Sequence, residues 1–278
     1  PGAKQPPDVG AALDDAERAD SAILARTHER QERRFALHSA AGLALNRGRP
    51  AQALRLMGLK REVDPNSQTL HGRALRYALM WEGDSVAGAN AARAFQASLN
   101  QSASGRTQAD DVGPPASSSF SVARWRLWHG DTTGAPDAIK ICRRGGLSPQ
   151  ADVLDALLAG IVKRPDAAVT LVRLDSIALL GCCSLPQFIN LVSARLHERA
   201  GDVPAALTAV RRGRWMFPPE YLSTYLREEG RLAALTADTA GAIAAYRHYL
   251  ALRSNPEPSL QPAADSVRAA LARLERRR

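Results

Sequence analysis

The most constraining feature of this sequence is the stretch from Tyr221 to Leu252, which has the pattern of two antiparallel helices joined by a short turn. Gly230 lies where a larger side chain would hold the second helix away. Ala242 and Tyr246 are one helical turn apart on the facing side of that second helix, and Ala237 is predicted to lie in the turn. Because small residues at a contact point let two helix axes approach closely, this stretch predicts a tightly packed helical hairpin.

The same arrangement recurs along the chain. When each predicted turn is aligned with the small residue five positions later, six anchors emerge, separated by 35, 47, 33, 38 and 36 residues. The anchors are Ala53, Gly88, Ala135, Ala168, Ala206 and Ala242. The positions twelve residues earlier, predicted on the first helix of each hairpin, are Ala41, Arg76, Ala123, Ala156, Ala194 and Gly230. Five of these six are small, so the period indicates an all-α repeat protein.

This pattern resembles the tetratricopeptide repeat, a helix-turn-helix unit of about 34 residues. The resemblance covers about residues 20 to 255 and is closest in the last two units, which are similar to the repeat regions of bacterial signalling and adaptor proteins. Of the aromatic residues that the family has four positions after the anchor, this chain keeps Tyr246, so its repeats are degenerate. The resemblance implies a right-handed α-solenoid of about six TPR-like repeats, closed by a C-terminal capping helix.

The predicted organisation has three parts. Residues 1–10 are rich in Pro and Gly and predict an extended linker, and residues 11–257 form the helical repeat domain. Residues 258–278 form the capping helix and a basic tail. The helical pattern from Ala11 to Asn46 is too long for one repeat helix, so we expect either a break near Thr27 or a lone helix before the first repeat.

Residues 99–119 interrupt the repeat with a Gly/Ser/Pro-rich insertion, which accounts for the spacing of 47 residues. Loops of this length in a compact domain are either functional or disordered, and both alternatives stay open for this segment. The last helix is expected to begin near Ala263, with Val267, Leu271 and Leu274 forming an apolar stripe opposite a basic face.

The net charge of +9 is unevenly distributed along the chain. Residues 1–32 contain seven acids and four bases, a net charge of −3, which leaves +12 on residues 33–278. This asymmetry predicts either an acidic arm lying on a basic body or an acidic partner for the body. Four of the 37 basic residues are lysines, and such an Arg-rich, Ala-rich composition is also typical of proteins from GC-rich genomes.

The sequence contains no motif that indicates catalysis. It has no phosphate-binding loop, nucleophile elbow or zinc-protease motif, and its six histidines are scattered. Its three cysteines are too few for a disulfide framework. We therefore expect no catalytic residue, no cofactor and no metal site. No apolar stretch reaches 18 residues, so no transmembrane segment is predicted, although peripheral membrane association is compatible with the sequence.

The resemblance places one face of each first helix on a concave surface, where arginine is frequent. The predicted partner-binding residues of this groove are Arg73, Tyr77, Phe120, Arg124, Arg195, Arg227 and Arg231. The planar guanidinium group matches the geometry of a carboxylate, so we expect the groove to bind an acidic segment of a protein partner.

The leading hypothesis is therefore a non-catalytic interaction module or scaffold. It would serve either as part of a signalling protein or as an extrinsic subunit that stabilises a larger, membrane-associated or soluble, complex. The alternative is a basic helical-repeat protein that binds nucleic acid without sequence specificity, and an enzyme ranks third.

Overall fold

The computed structural model describes residues 9–63, scattered positions between 86 and 96, and residues 115–164, 166–180, 186–213 and 221–276. Every secondary-structure element in these ranges is a helix, which confirms the predicted all-α class. The helices are α1 (Val9–Arg26), α2 (Arg30–Asn46), α3 (Pro50–Val63), α4 (Pro115–Trp128), α5 (Ala135–Arg144), α6 (Ser148–Val162), α7 (Ala167–Leu180), α8 (Pro186–Arg199), α9 (Val203–Gly213), α10 (Leu222–Leu235), α11 (Thr239–Leu252), a 3₁₀ turn (Pro258–Leu260) and α12 (Gln261–Arg276). Among them no helix combines the length and apolar character needed to cross a membrane.

The N-terminal helices differ slightly from the expected bounds. Helix α1 begins at Val9, so the last two residues of the predicted linker 1–10 are helical, while residues 1–8 lie outside the described ranges. The expected break near Thr27 is confirmed, because α1 ends one residue before it and α2 begins at Arg30. Glu29 caps α2, with its carboxylate accepting a hydrogen bond of 2.8 Å from the Glu32 N–H.

The Gly/Ser/Pro-rich insertion ends earlier than the predicted bound at residue 119. Residues 115–119 belong to α4, which begins at Pro115, whereas residues 99–114 lie outside the described ranges. Proline is well suited to the first position of a helix, since its fixed φ matches the helix and its missing N–H is not needed there. The last five residues of a segment whose composition predicts a loop therefore start a helix.

The same backbone turn recurs at the aligned positions. Gly48, Gly130, Lys163, Gly201 and Ala237 all have a left-handed conformation, with φ of 75°, 85°, 53°, 86° and 60°. In each case the N–H of the next residue donates to the carbonyl five residues earlier: Arg49 to Ala44, Asp131 to Arg126, Arg164 to Ala159, Asp202 to His197 and Asp238 to Ala233, at 2.8–3.0 Å. This pair of features is the Schellman motif, which ends the first helix and reverses the chain. The sixth aligned turn, Gly83, is not among the described residues.

The small residues predicted at helix contacts are buried wherever their side chains are described. On the first helices these are Ala41, Ala123, Ala156, Ala194 and Gly230, and on the second helices they are Ala53, Gly88, Ala135, Ala206 and Ala242. The alanines are at most 4% exposed. Arg76 and the Ala168 side chain lie outside the described set. Helix pairs α2–α3, α4–α5, α6–α7 and α8–α9 pack directly against each other.

Gly230 and Tyr246 form the closest of these contacts. A Cβ atom added to Gly230 would lie 2.3 Å from Tyr246 Cδ1 and 2.4 Å from its Cε1. The Tyr246 ring therefore occupies the space that any side chain at position 230 would need, as the sequence predicted. Burial, followed by the nearby charge of Glu228, raises the pKa of Tyr246, so its hydroxyl stays protonated at neutral pH.

The chain forms two compact units. The first comprises residues 1–84, 220–234 and 238–278, and the second comprises residues 85–219 and 235–237. In the first unit, the N-terminal helices α1 to α3 share one body with the C-terminal helices α11 and α12. In the second unit, α4 to α9 follow one another as successive hairpins.

Within the first unit, residues about 200 positions apart hold the first and last hairpins together. Glu257 accepts hydrogen bonds from the Ala51 and Gln52 N–H groups at 3.0 and 3.2 Å, and its own N–H donates to the Gly48 carbonyl at 2.8 Å. Buried Asn46 accepts from the Ser223 N–H at 3.2 Å. In a simple solenoid each repeat contacts only its neighbours in sequence, so this contact between the first and last hairpins is a departure from the expected pattern.

Helix α12 packs as its apolar stripe predicted. Val267 joins a buried cluster with Leu226, Tyr246, Tyr249 and Leu252, and Leu271 and Leu274 pack against the edge of that cluster. Arg268, Arg273 and Arg276 are exposed on the opposite side. The helix therefore covers one side of the α10–α11 hairpin with an outward basic face.

We expect Gly230→Ala to destabilise the protein by about 1 to 3 kcal/mol, since the added methyl group overlaps the Tyr246 ring. Gly42→Ala is the matched control. Gly42 also lies inside a helix of the first unit, but nothing lies within 4 Å of its added Cβ, so this change should leave stability unchanged or raise it by up to about 1 kcal/mol. Thermal melting of the two variants tests the contact, and equal melting temperatures would contradict it.

Glu257→Ala should cost about 1 to 2 kcal/mol, because α3 begins with Pro50 and its next two N–H groups lose their acceptor. Glu275→Ala is the control, since Glu275 forms an exposed ion pair with Arg247 that should contribute little. Chemical denaturation of both variants measures the difference. A Glu257 variant as stable as the control would show that the cap is not needed.

Candidate partner-binding site

The seven residues predicted to line a groove fall into three groups. Arg73 and Tyr77 lie outside the described ranges, and their role stays a prediction. Phe120, Arg124 and Arg195 belong to the second unit, and Arg227 and Arg231 belong to the first. The five described residues therefore belong to two separate units, and a groove containing all seven residues stays a prediction.

Phe120 and Arg124 are one turn apart on α4 and both are buried, at 7% and 4% exposure. The Arg124 guanidinium carbon lies 5.3 Å from the centre of the Phe120 ring, within the range of a cation–π interaction. Little of either side chain is therefore accessible to a partner. Their described contacts support the packing of α4, although the sequence pattern placed them on an open surface.

Arg195 is the accessible member of the second unit. Its guanidinium carbon lies 4.2 Å from the centre of the Trp128 ring, and both side chains are half-buried. Trp128 is one turn beyond Arg124 on α4, so helices α4 and α8 bring an arginine from one and an aromatic ring from the other into a stack. A guanidinium that stacks on a ring keeps its N–H edge directed toward acceptors, which suits a carboxylate ligand.

Arg227 and Arg231 lie one turn apart on α10, with side chains 43% and 40% exposed. Both are near Glu228, at 3.6 Å and 2.9 Å between nitrogen and carboxylate oxygen. These two arginines therefore form an exposed basic strip that carries one internal carboxylate. Exposed ion pairs of this kind contribute little to folding stability.

A polar network that the sequence did not reveal joins helices α7, α8 and α9. Asp175 accepts hydrogen bonds from the Ser193 hydroxyl, from His197 Nε2 at 2.7 Å and from Arg212 Nη2 at 2.9 Å. Burial alone would raise the pKa of Asp175, but these three hydrogen bonds and the Arg212 charge outweigh it and hold that pKa below its usual range. Asp175 is therefore a charged connection between three helices.

The same network contains a serine, a histidine and an aspartate, but its geometry differs from that of a nucleophilic triad. The Ser193 hydroxyl donates to Asp175, and the described hydrogen bonds of Ser193 and His197 both end on that carboxylate. A serine nucleophile needs a direct contact with its general base. The contacts in this network instead hold the helices together. Elsewhere in the unit, burial raises the pKa of the Cys142 thiol to about 11, so it is not a thiolate at neutral pH.

Helix α1 forms a second arrangement of arginines and carboxylates, in the first unit. Buried Arg47 contacts Asp14 at 2.5 Å and Glu17 at 2.7 Å, and Arg49 lies 3.6 Å from Glu17. The Arg33 guanidinium donates to the Leu24 and Thr27 carbonyls, at 3.2 and 3.3 Å, at the C-terminal end of α1. Arginines thus hold the acidic helix through its side chains and through its terminal carbonyl groups.

Asp20 lies one turn beyond Glu17 and is 8% exposed. Burial raises its pKa, and a hydrogen bond with the Ser39 side chain acts in the opposite direction. Within the described part of the chain its buried Oδ2 atom has no hydrogen-bond partner. This carboxylate is therefore less well compensated than Asp14 and Glu17, which have arginine partners.

The sequence contained partial signals for these two arrangements. Ser193 and His197 are separated by four residues and so share one face of α8, which marks polar residues on a helix that packs against others. The acidic composition of residues 1–32 predicts either an acidic arm on a basic body or an acidic partner for the body, and α1 does lie against Arg47 and Arg49. The partners of Asp175 and the partners of Arg47 could not be assigned from the sequence, since each pairing depends on how separate helices align.

Comparisons with protein-family models, curated proteins and solved structures found nothing that matches this chain. Among the described residues, no group of three or more His, Cys, Asp or Glu side chains is arranged to hold a metal ion.

Asp175→Asn should lower stability by about 1 to 2 kcal/mol at pH 7, since the half-buried network loses its charge. The folded pKa of Asp175 lies below its ordinary value of 3.8, so its stabilising effect is present above that value and is lost as the pH falls through the folded pKa. The variant should therefore approach the wild type below about pH 4. Melting curves from pH 3 to 7 would contradict this if the difference did not narrow. Asp137→Asn, at an exposed site, is the control.

Asp20→Asn should raise stability by about 1 kcal/mol at pH 7, because it removes a buried charge and keeps a group that can hydrogen-bond Ser39. The pKa of Asp20 is raised on folding, so the wild type gains stability as the pH falls and Asp20 takes up a proton. The gap between variant and wild type should then shrink toward low pH. A less stable variant would show that the Asp20 charge is needed.

Proposed function

We propose that this protein is a non-catalytic interaction module or scaffold that binds an acidic segment of a protein partner through accessible arginines. The observation that carries the proposal is the partial exposure of Arg195 in the second unit and of Arg227 and Arg231 in the first, whereas Phe120 and Arg124 are buried. The partly exposed members are arginines, one stacked on an aromatic ring and two forming a strip on one helix. Such groups favour carboxylates and dock them with defined orientation.

The fold assignment that belongs to this proposal is a right-handed α-solenoid of TPR-like repeats with α12 as its capping helix. It is supported by the five identical turns and by the buried small residues five positions after the turns and twelve before those anchors. Repeats of this kind present the faces of successive helices as binding surfaces. The contact between the first and last hairpins of the first unit is not expected for a simple solenoid, in which each repeat contacts its neighbours in sequence.

Two biological contexts fit this proposal. In one, the protein is the interaction part of a signalling protein, and in the other it is an extrinsic subunit that stabilises a larger assembly. Affinity capture of partners from native lysate at about 0.15 M salt, followed by identification of the captured proteins, separates the two contexts. Capture of membrane-complex subunits favours the second context, and capture of regulators favours the first.

The triple variant Arg195→Ala, Arg227→Ala, Arg231→Ala should bind a captured partner at least about tenfold more weakly, since each accessible charge-assisted contact contributes about 1 kcal/mol or more. Its melting temperature should change little, because these arginines are at least partly exposed. The control replaces Arg143, Arg144 and Arg273 by Ala, which removes equal charge from other exposed positions. Equal losses in both triple variants would show that overall charge, and not these three arginines, attracts the partner.

The nucleic-acid alternative is tested in the same proteins. Binding to phosphates falls steeply with salt, by about 10³ to 10⁵ between 50 and 200 mM for 6 to 10 contacts, whereas protein binding that includes apolar contacts persists. We expect fluorescence anisotropy to show DNA binding that disappears by about 0.15 M salt. Tight DNA binding that persists at this salt and is lost in the triple variant would contradict the protein-partner proposal and favour nucleic-acid binding.

A further inference from the structure

We infer that helix α1 is a built-in ligand that occupies a docking surface for acidic helices, and that an acidic helical segment of a partner protein displaces it. The surface is formed by Arg33, Ser39, Arg47 and Arg49, on and beside α2, and we call it the α1 site. It is distinct from the residues assigned above to partner binding. The inference rests on the proposed function in one respect, since both surfaces take acidic protein segments.

The contacts of α1 define what the α1 site recognises. Asp14, Glu17 and Asp20 are spaced three residues apart, so they follow one face of the helix. This face is the one that meets Arg47, Arg49 and Ser39. Arg33 binds the terminal carbonyl groups, which any helix of similar length would offer. The site therefore recognises a helix with carboxylates opposite Arg47 and Arg49 and with terminal carbonyl groups that can accept from Arg33.

The side chains of α1 that the structure describes bury little apolar surface. Among the described side chains of α1, Asp20 is the one that is buried, and the apolar Ile23 is 42% exposed. By contrast, α2 buries Ala41, Ala44 and Leu45 to 1% exposure against other helices. A helix held mainly by ion pairs is weakened by salt and by competing carboxylates much more than one held by a hydrophobic core.

Asp20 makes α1 bind the α1 site more weakly than a helix without this buried charge would. Its buried Oδ2 lacks a hydrogen-bond partner among the described residues, and an uncompensated buried carboxylate opposes docking. A partner helix with a neutral residue at this position and acids opposite Arg47 would avoid that penalty. The geometry thus leaves room for a partner segment to bind more tightly than α1 itself.

The test uses the full chain and a fluorescent peptide with the sequence of residues 9–26. Asp14→Asn with Glu17→Gln removes the carboxylates that contact Arg47, and should release α1 and open the site. Asp20→Asn should hold α1 more firmly. Asp15→Asn with Glu62→Gln is the control, since it makes the same charge change at exposed positions.

We expect the released variant to bind the peptide about tenfold more tightly than the wild type, because apparent affinity scales with the fraction of open sites. The control should match the wild type, and the Asp20 variant should bind more weakly. A peptide in which Asp14 and Glu17 are replaced by Asn and Gln should bind none of the proteins measurably. Equal binding of all four proteins, or equal binding of the neutral peptide, would overturn the inference.

Two further measurements cover other outcomes. If the released variant does not fold, amide hydrogen exchange of the wild type tests the inference instead. Excess acidic peptide should speed exchange in residues 9–26 and leave α2 protected. An unchanged exchange rate in α1 would overturn the inference. If light scattering shows that the wild type exchanges α1 between two copies, the occupant is a second copy and the partner inference is wrong. The Arg195, Arg227, Arg231 variant should bind the peptide like the wild type, so failure here is distinguishable from failure of the proposed function.

Discussion

The close approach of paired helices is the constraint on which the described structure depends. Five described hairpins turn at a left-handed residue, and in four of them the described small residue five positions later is buried. The turn fixes the register, because a Schellman motif sets the number of residues between the last turn of one helix and the first turn of the next. The small residue then sets the distance between the two helices. The closest approach of this kind is at Gly230, where the Tyr246 ring occupies the space of a side chain. Once the register and the separation of two paired helices are set, each remaining apolar side chain between them packs against a defined neighbour.

A second layer of structure is polar, and it connects elements that the hairpins alone leave separate. Glu257 caps the N-terminal end of α3, and Asn46 accepts a hydrogen bond from Ser223 in the interior of the first unit. In the second unit Asp175 connects three helices. Backbone N–H groups at helix ends and buried carboxylates need partners, so these contacts select one arrangement of the hairpins among those that would bury similar apolar area.

The arginines of this chain have two distinct environments. Arg47 and Arg212 bind carboxylates of other helices, whereas Arg195 stacks on Trp128 and Arg227 and Arg231 lie beside Glu228 of their own helix. An arginine count alone does not distinguish these classes. Helix α1 links the two, because it shows within one molecule how arginines of this body hold an acidic helix.

The sequence by itself determined the helical class, the positions of the described turns, the buried small residues and the apolar stripe of α12. All of these depend on residues close together in the chain, where glycine, alanine and helical periodicity act directly on the backbone. Only the tertiary structure decided that Phe120 and Arg124 are buried while Arg195 stacks on Trp128. It also decided that Asp175 joins three helices and that Glu257 reaches α3. These outcomes depend on how distant helices align, and a shift of one residue in that alignment changes which side chains meet.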